Sequence, residues 1–235
     1  MEIVTVDNNK FIQFKNNNAE IYFSTAESEL DFHKSTYIGH KNLENIKRWF
    51  NAAEIGYLDQ IHSDKIFEYD KIVHQGDGLI TKEKNVAVGV FTADCIPIIL
   101  FDSKLNISAA IHSGWKGTLA KILSKAIDIM KNKYGCKAEN ISAYVGPHNK
   151  ECCYEVGTEV VELFKKEPIY EDLDLYKNKK LNLLTCIEKQ LEIHEIKREN
   201  IYSVDICTFC IQEFKMHSYR KNNACGRLFS FIIVR

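Results

Sequence analysis

Three side chains of the chain could share a metal: His62, Cys95 and His112. Each sits at the end of, or just beyond, an apolar run that reads as a strand. Gln60-Ile61-His62 finishes the first, Thr92-Ala93-Asp94-Cys95 follows the second, and Ala110-Ile111-His112 finishes the third. Two imidazoles and one thiolate suit Zn²⁺ and leave a fourth position for water or substrate. Zinc fingers hold their ligands in tight pairs. Here the ligands lie far apart in the chain, the layout of a catalytic site in which rigid elements converge on one point. The plainer alternative is that Cys95 is a small buried hydrophobe and that each histidine is satisfied by a backbone carbonyl. Spacing alone leaves both readings open.

Ser113-Gly114-Trp115-Lys116-Gly117 follows His112 and leads into a long apolar-periodic segment. A strand, a glycine-bearing turn, a helix start and Lys116 make a reasonable anion seat, because unpaired N–H groups and the helix dipole converge there. The G-x-x-x-x-G-K-[ST] phosphate loop is absent, and a plain capped turn is the commoner outcome. Trp115 could stack on a flat substrate or cover the helix end. Arg220 and Arg227 could clamp a phosphate or carboxylate, or be solvated surface cations. Cys207-Thr208-Phe209-Cys210 could be a redox pair or half of a zinc site, but no second pair at zinc-ribbon spacing accompanies it. The adjacent Cys152 and Cys153 read as packed thiols.

The elements that must position these groups are mixed. Strands are expected at 1–6, 11–14, 20–24, 57–62, 86–91, 96–101, 106–112, 142–145, 201–206 and 228–234 from apolar runs between Asn/Asp/Gly clusters. Helical periodicity marks 42–54, with Leu43, Ile46, Phe50 and Ala53 on one face. It is clearest from Leu119 to Met130, closed by Gly135, and recurs over 158–166 and 182–193. The early strands have no helices between them, which argues for mixed sheets covered by helices over a simple doubly wound sheet.

Composition narrows the partners. Lys+Arg 31 against Asp+Glu 32 gives a net charge of −1, so no global basic field exists to hold nucleic acid or an anionic membrane. The most apolar stretch, 86–101, is broken by Thr92, Asp94 and Pro97 and falls short of the ~20 residues a membrane helix needs. The first residues lack the basic and apolar regions of a secretion signal, so the eight cysteines are expected as reduced thiols in the cytoplasm. No linker or repeat divides the chain, and 1–235 is expected to be one domain.

Taken in order, Gln60-Ile-His62, Asp77-Gly-Leu-Ile-Thr81, Thr92-Ala-Asp-Cys-Ile-Pro97, Ala110-Ile-His-Ser-Gly-Trp-Lys-Gly117 and Val145-Gly-Pro147 make a recognisable series. Cys152-Cys-Tyr-Glu-Val-Gly157, Asp205-Ile-Cys-Thr208, Ser218-Tyr-Arg220 and Gly226-Arg227 complete it. The series resembles the YfiH family, formerly described as multicopper polyphenol oxidases or laccases, over roughly the whole chain. The resemblance implies an α/β fold of mixed sheets in a four-layer α/β/β/α sandwich like the catalytic domain of cytotoxic necrotizing factor. It places His62, Cys95 and His112 on the family's zinc ligands.

As activity it implies a zinc-dependent purine nucleoside phosphorylase acting on adenosine, inosine and methylthioadenosine, with adenosine deaminase activity. The partners are then purine nucleosides and phosphate. Lys116, Arg220 and Arg227 become the expected phosphate contacts. Asp94 is expected to orient water or to accept a hydrogen bond from a ligating histidine. The alternatives are a copper (Cu²⁺) polyphenol oxidoreductase and a cytoplasmic hydrolase editing peptidoglycan precursors. Laccase chemistry needs several coppers and repeated His-x-His pairs, whereas this chain has eight scattered histidines.

Some positions depart from the family pattern. Asn45-Ile46 stands where Asn-Arg is common, and Arg48, two residues on, lies about 200° around the helix. His62-Ser63 replaces the usual His-Gly, His148-Asn149 follows Pro147 where an apolar residue is common, and His217 replaces an aromatic. None of these removes a ligand.

Overall fold

The apolar runs assemble into two six-stranded sheets in the computed structural model, which describes residues 1–235. The first begins as a meander of β1 (Glu2–Val6), β2 (Asn9–Asn16) and β3 (Ala19–Ser24). Asp7, Asn8 and Asn17 turn it with φ of 51°, 66° and 52°, a left-handed geometry that tight hairpins require and Asn and Asp tolerate. After α1 (Tyr37–Trp49) come β4 (Glu54–Gly56), β5 (Ile66–Glu68), β6 (Gly78–Thr81), β7 (Val86–Thr92), β8 (Ile96–Asp102) and β9 (Ile107–Ser113). Then α2 (Trp115–Leu119), α3 (Ile122–Tyr134), β10 (Ile141–Val145) and α4 (Thr158–Lys165) lead to the small hairpin β11 (Tyr176–Lys177) and β12 (Lys180–Leu181). The chain finishes with α5 (Leu183–Ile193), β13 (Ile201–Ser203) and β14 (Leu228–Val234).

The first sheet has the order β1-β2-β3-β14-β7-β4 and the second β13-β10-β8-β9-β6-β5. Both are mixed. β4 runs parallel to β7, β5 to β6 and β10 to β13, and the remaining neighbours are antiparallel. One apolar core lies between the sheets, joining Ile12, Phe23, Val88 and Ile232 of the first to Ile99, Phe101 and Tyr144 of the second. A second core holds α1 to the outer face of the first sheet through Leu43, Ile46 and Phe50 against Phe11, Phe229 and Phe231. The largest core packs α3, α4 and α5 on the outer face of the second sheet, with Ile98, Leu100, Ala109 and Ile111 beneath Leu123, Ile127 and Ile187. Sheets covered on both faces explain why β7, β8, β9 and β14 are buried along their whole length and mostly apolar.

Strands β4, β5 and β6 lie outside the sequence expectation, β13 is shorter than 201–206, and three further elements differ from it. Residues 57–62 form no strand beyond a bridge between Asp59 and Gln75. The Gln60 amide instead accepts from the Phe91 N–H and donates to the Phe91 carbonyl, both at 2.7 Å, so a side chain takes the place of a strand ladder. The first helix starts at Tyr37 because Thr36 caps it, accepting from the Gly39 N–H at 3.0 Å. The long helix after His112 is two pieces. α2 ends after one turn, and Lys121, at φ 60°, redirects the chain into α3.

Candidate metal centre and its cleft

His112 lies on β9, buried, opposite Pro97 of β8. Cys95 lies in the tight turn joining β7 to β8, where Asp94 has a φ of 93°. His62 follows the Gln60 clasp in a loop and is itself left-handed at φ 58°. These unrelated local structures bring the three ligand atoms within 4.8 Å of one another. Cys95 Sγ is 3.9 Å from His62 Nε2, and the two imidazole rings meet edge to face at 4.9 Å. Gly114 makes the approach possible. A Cβ there would stand 2.9 Å from Cys95 Sγ and 3.2 Å from His62 Cδ2.

Asp77, fully buried just before β6, organises the centre. Its Oδ1 accepts from His112 Nδ1 at 2.8 Å and from the His62 N–H at 3.0 Å. Its Oδ2 accepts from the Ser63 N–H at 2.6 Å and the Ser63 hydroxyl at 2.7 Å. One carboxylate therefore fixes the His112 tautomer, leaving Nε2 for a ligand, and also holds the His62 loop. Burial pushes the Asp77 carboxyl up, but His112 and Ser63 outweigh it and hold it at about 2. Burial likewise opposes ionisation of Cys95, yet His112 and His62 beside it bring the thiol down to about 6. Burial lowers His112 while Cys95 and Asp77 raise it, to about 9. A cysteine sulfur and two histidine rings, one braced by a carboxylate, are a donor set that fits Zn²⁺, which would take the place of the proton shared by Cys95 and His112.

The centre opens into a cleft of about 600 Å³. Asp94, Trp115, Tyr154, Arg220 and Arg227 line it together with the three ligands. Asp94 is committed elsewhere than expected. Its carboxylate accepts from the Thr208 hydroxyl and from the Arg220 N–H, both at 2.7 Å, and the carboxylate that takes a ligand imidazole is Asp77. The Arg220 guanidinium lies 5.1 Å over the Tyr154 ring and donates to the Glu155 carbonyl. The Arg227 guanidinium donates to the carbonyls of Cys225 and Gly226.

Lys116 is not among the residues lining the cleft, and its ammonium lies over the Trp115 ring at 5.6 Å. At the start of α2, Ser113 Oγ and Thr118 Oγ1 bond each other at 2.8 Å. On α1, Ile46 is buried in the core and Arg48 pairs with Asp7 on the surface, so neither faces the cleft.

Sequence reasoning gave no role to Asp77, although it opens a motif that stood out, and it missed Thr92 and His33 of the cleft wall. Thr92 Oγ1 is buried with no hydrogen-bond partner, a polar atom left over beside the metal centre. Nothing in the sequence distinguishes it from an ordinary strand threonine.

Residues 26–235 match the family model described as multi-copper polyphenol oxidoreductase laccase. A purine nucleoside phosphorylase of Clostridium acetobutylicum is 47% identical over 236 residues, covering 99% of both chains. A protein named adenosine deaminase RL5, from an unknown prokaryotic organism, is 41% identical over 120 residues, which is 51% of this chain and 45% of that one. Among solved structures, the hypothetical protein YfiH of Bacillus licheniformis superposes with a TM-score of 0.84 at 22% identity, covering 93% of this chain and 94% of the other. YlmD of Geobacillus stearothermophilus gives 0.83 at 21% identity, with 93% of each chain covered. With the three-ligand centre and the two-sheet fold in place, these similarities make the chain a member of the YfiH family of laccase-like proteins.

Proposed function

We propose that the chain is a zinc-dependent purine nucleoside phosphorylase working in the cytoplasm, with adenosine, inosine and methylthioadenosine as its substrate class. The observation that carries this reading is the convergence of His62, Cys95 and His112 in a cleft also lined by two arginines and by Phe91, Trp115, Tyr154 and Tyr219. About 600 Å³ is within the range of small-ligand sites and suits a nucleoside with an anion beside it. Phosphorolysis forms a bond between a phosphate oxygen and the anomeric carbon of ribose as the bond from that carbon to the purine nitrogen breaks. The departing base then takes a proton. Arg220 and Arg227 supply positive charge for the phosphate. Trp115 and Tyr154 offer faces to the flat base. His62, Cys95 and His112 would hold Zn²⁺, which when bound would supply Lewis-acid polarisation. The rest of the work is positioning, and Asp77 does most of it by fixing both histidines.

The alternating helix and sheet layers, α1 on one sheet and α3, α4 and α5 on the other, support reading the fold as a four-layer α/β/β/α sandwich akin to the cytotoxic necrotizing factor catalytic domain. Adenosine deamination is a second reaction of the same cleft, favoured by the likeness to the protein named adenosine deaminase RL5. Copper could enter a His₂Cys set, but one three-ligand centre lacks the several coppers of laccase chemistry.

The deciding experiment measures free base released from a panel of purine nucleosides, with and without phosphate, by zinc-loaded wild type and His112→Ala. Phosphate-dependent release of adenine or hypoxanthine, abolished in the variant, is expected. A folded, zinc-loaded wild type that releases no base overturns the reading and turns attention to cell-wall precursors.

A further inference from the structure

Two cysteine pairs distant in sequence meet on the far side of the cleft wall. The pairing of β10 with β13 is parallel, so the loops that leave these strands emerge at the same end of the second sheet. A backbone bridge between His148 and Cys207 extends the pairing, with the Thr208 N–H donating to the His148 carbonyl at 3.0 Å. Cys152-Cys153 on the first loop and Cys207 and Cys210 on the second are thereby brought together. All four sulfurs lie within 4.8 Å of one another.

The spacing distinguishes between the uses of four thiols. In a tetrahedral site with bonds of ~2.3 Å, neighbouring sulfurs stand about 3.8 Å apart, and Cys152 Sγ lies 3.7 Å from Cys210 Sγ. A disulfide requires about 2.05 Å, and all four cysteines are free. Beside Cys207, Asn149 Nδ2 is buried without a partner while its Oδ1 lies 3.9 Å from the Cys207 sulfur. A half-turn of that amide would direct an N–H onto a thiolate. Lys180 donates to the Cys152 carbonyl and places positive charge near what would be a doubly negative site.

We infer that Cys152, Cys153, Cys207 and Cys210 form a second metal site, a closed tetrathiolate that binds one Zn²⁺ and staples the two loops together. Such a site is structural, since no position remains open for substrate. Its location shows what it would stiffen. Thr208, next to Cys207, holds the Asp94 carboxylate, and Tyr154, next to Cys153, carries the Arg220 guanidinium. The staple therefore backs one wall of the cleft while taking no part in its chemistry. The inference stands apart from the phosphorolysis reading, because its readout is metal and not turnover.

The test uses full-length protein purified under reducing conditions. Elemental analysis of wild type should give two zinc ions per chain, falling to one in Cys207→Ser/Cys210→Ser. Cys95→Ala, which disables the cleft centre, should take up Co²⁺ and show the intense visible bands of a tetrathiolate complex. That measurement decides the matter even where the double variant does not fold. A folded Cys95→Ala protein without a tetrathiolate cobalt spectrum overturns the inference. So does a disulfide among the four cysteines in the unreduced wild type, or iron in place of zinc.

Discussion

Asp77 illustrates how much a single buried side chain can decide. Both of its oxygens accept hydrogen bonds, three of them from backbone N–H groups of the His62 loop. Asn at this position could still accept from His112, but its amide would turn a donor towards the donors of Ser63. Asp77→Asn is therefore expected to weaken zinc binding by about 10–100-fold in a chelator competition and to lower folding stability by about 1–3 kcal/mol in urea. Because the folded carboxyl titrates below the ordinary value of 3.8, its stabilising contribution is complete above about pH 4 and is lost as the pH falls through about 2. Acid titration of wild type should show this loss, and Asp77→Asn should lack it. Gly114→Ala is expected to keep the fold and lose zinc affinity, since its methyl group meets Cys95 and His62. Unchanged affinity by calorimetry would mean that those two side chains give way freely.

At the scale of elements, the turns can be separated from the packing. Gly135 closes α3 at φ 75°, and a Cβ there would touch nothing within 4 Å. Gly135→Ala should thus destabilise by about 1 kcal/mol through backbone geometry alone, read as a shift in urea midpoint at constant slope. The periodicities exposed some elements and hid others for the same physical reason. β7, β8, β9 and β14 are mostly apolar runs because both faces are covered, and α3 shows its buried stripe of Leu123, Ala126, Ile127 and Met130. Residues 57–62 resemble a strand, but they are held through the Gln60 side chain, which no pattern of apolar residues reveals. His62, Cys95 and His112, which the structure brings together, could be picked out as candidates because histidine and cysteine are rare on apolar runs. The four-cysteine cluster could not, because its proximity comes from the parallel register of β10 and β13, a property of topology.

For the molecule as a whole, burial of ionisable groups sets the alkaline limit. Cys136 and Cys186 are buried, and burial pushes both thiols up to about 12 from an ordinary 9.0; Tyr154 is likewise pushed up to about 12. Above pH 9 the unfolded chain releases protons that the native state retains, so stability falls with rising pH until the folded groups ionise. Each such group contributes about 1.4 kcal/mol per pH unit over that window. Urea midpoints should decline steadily over about pH 9–11, and Cys186→Ala should flatten the decline, though it also leaves a small cavity. No helix is long and apolar enough to cross a membrane.

The position of β14 bears on how this chain is made. It is the last strand in sequence, yet it lies between β3 and β7 in the middle of the first sheet. During synthesis those two strands are completed and then wait with open edges until residues 228–234 leave the ribosome. At ordinary elongation rates that interval is on the order of ten seconds. Throughout it, the nascent chain presents unpaired backbone and the apolar faces of Phe23, Val88 and Val90 to its surroundings. Dependence on a holding chaperone during translation, and aggregation when translation stalls within that window, follow from the strand order.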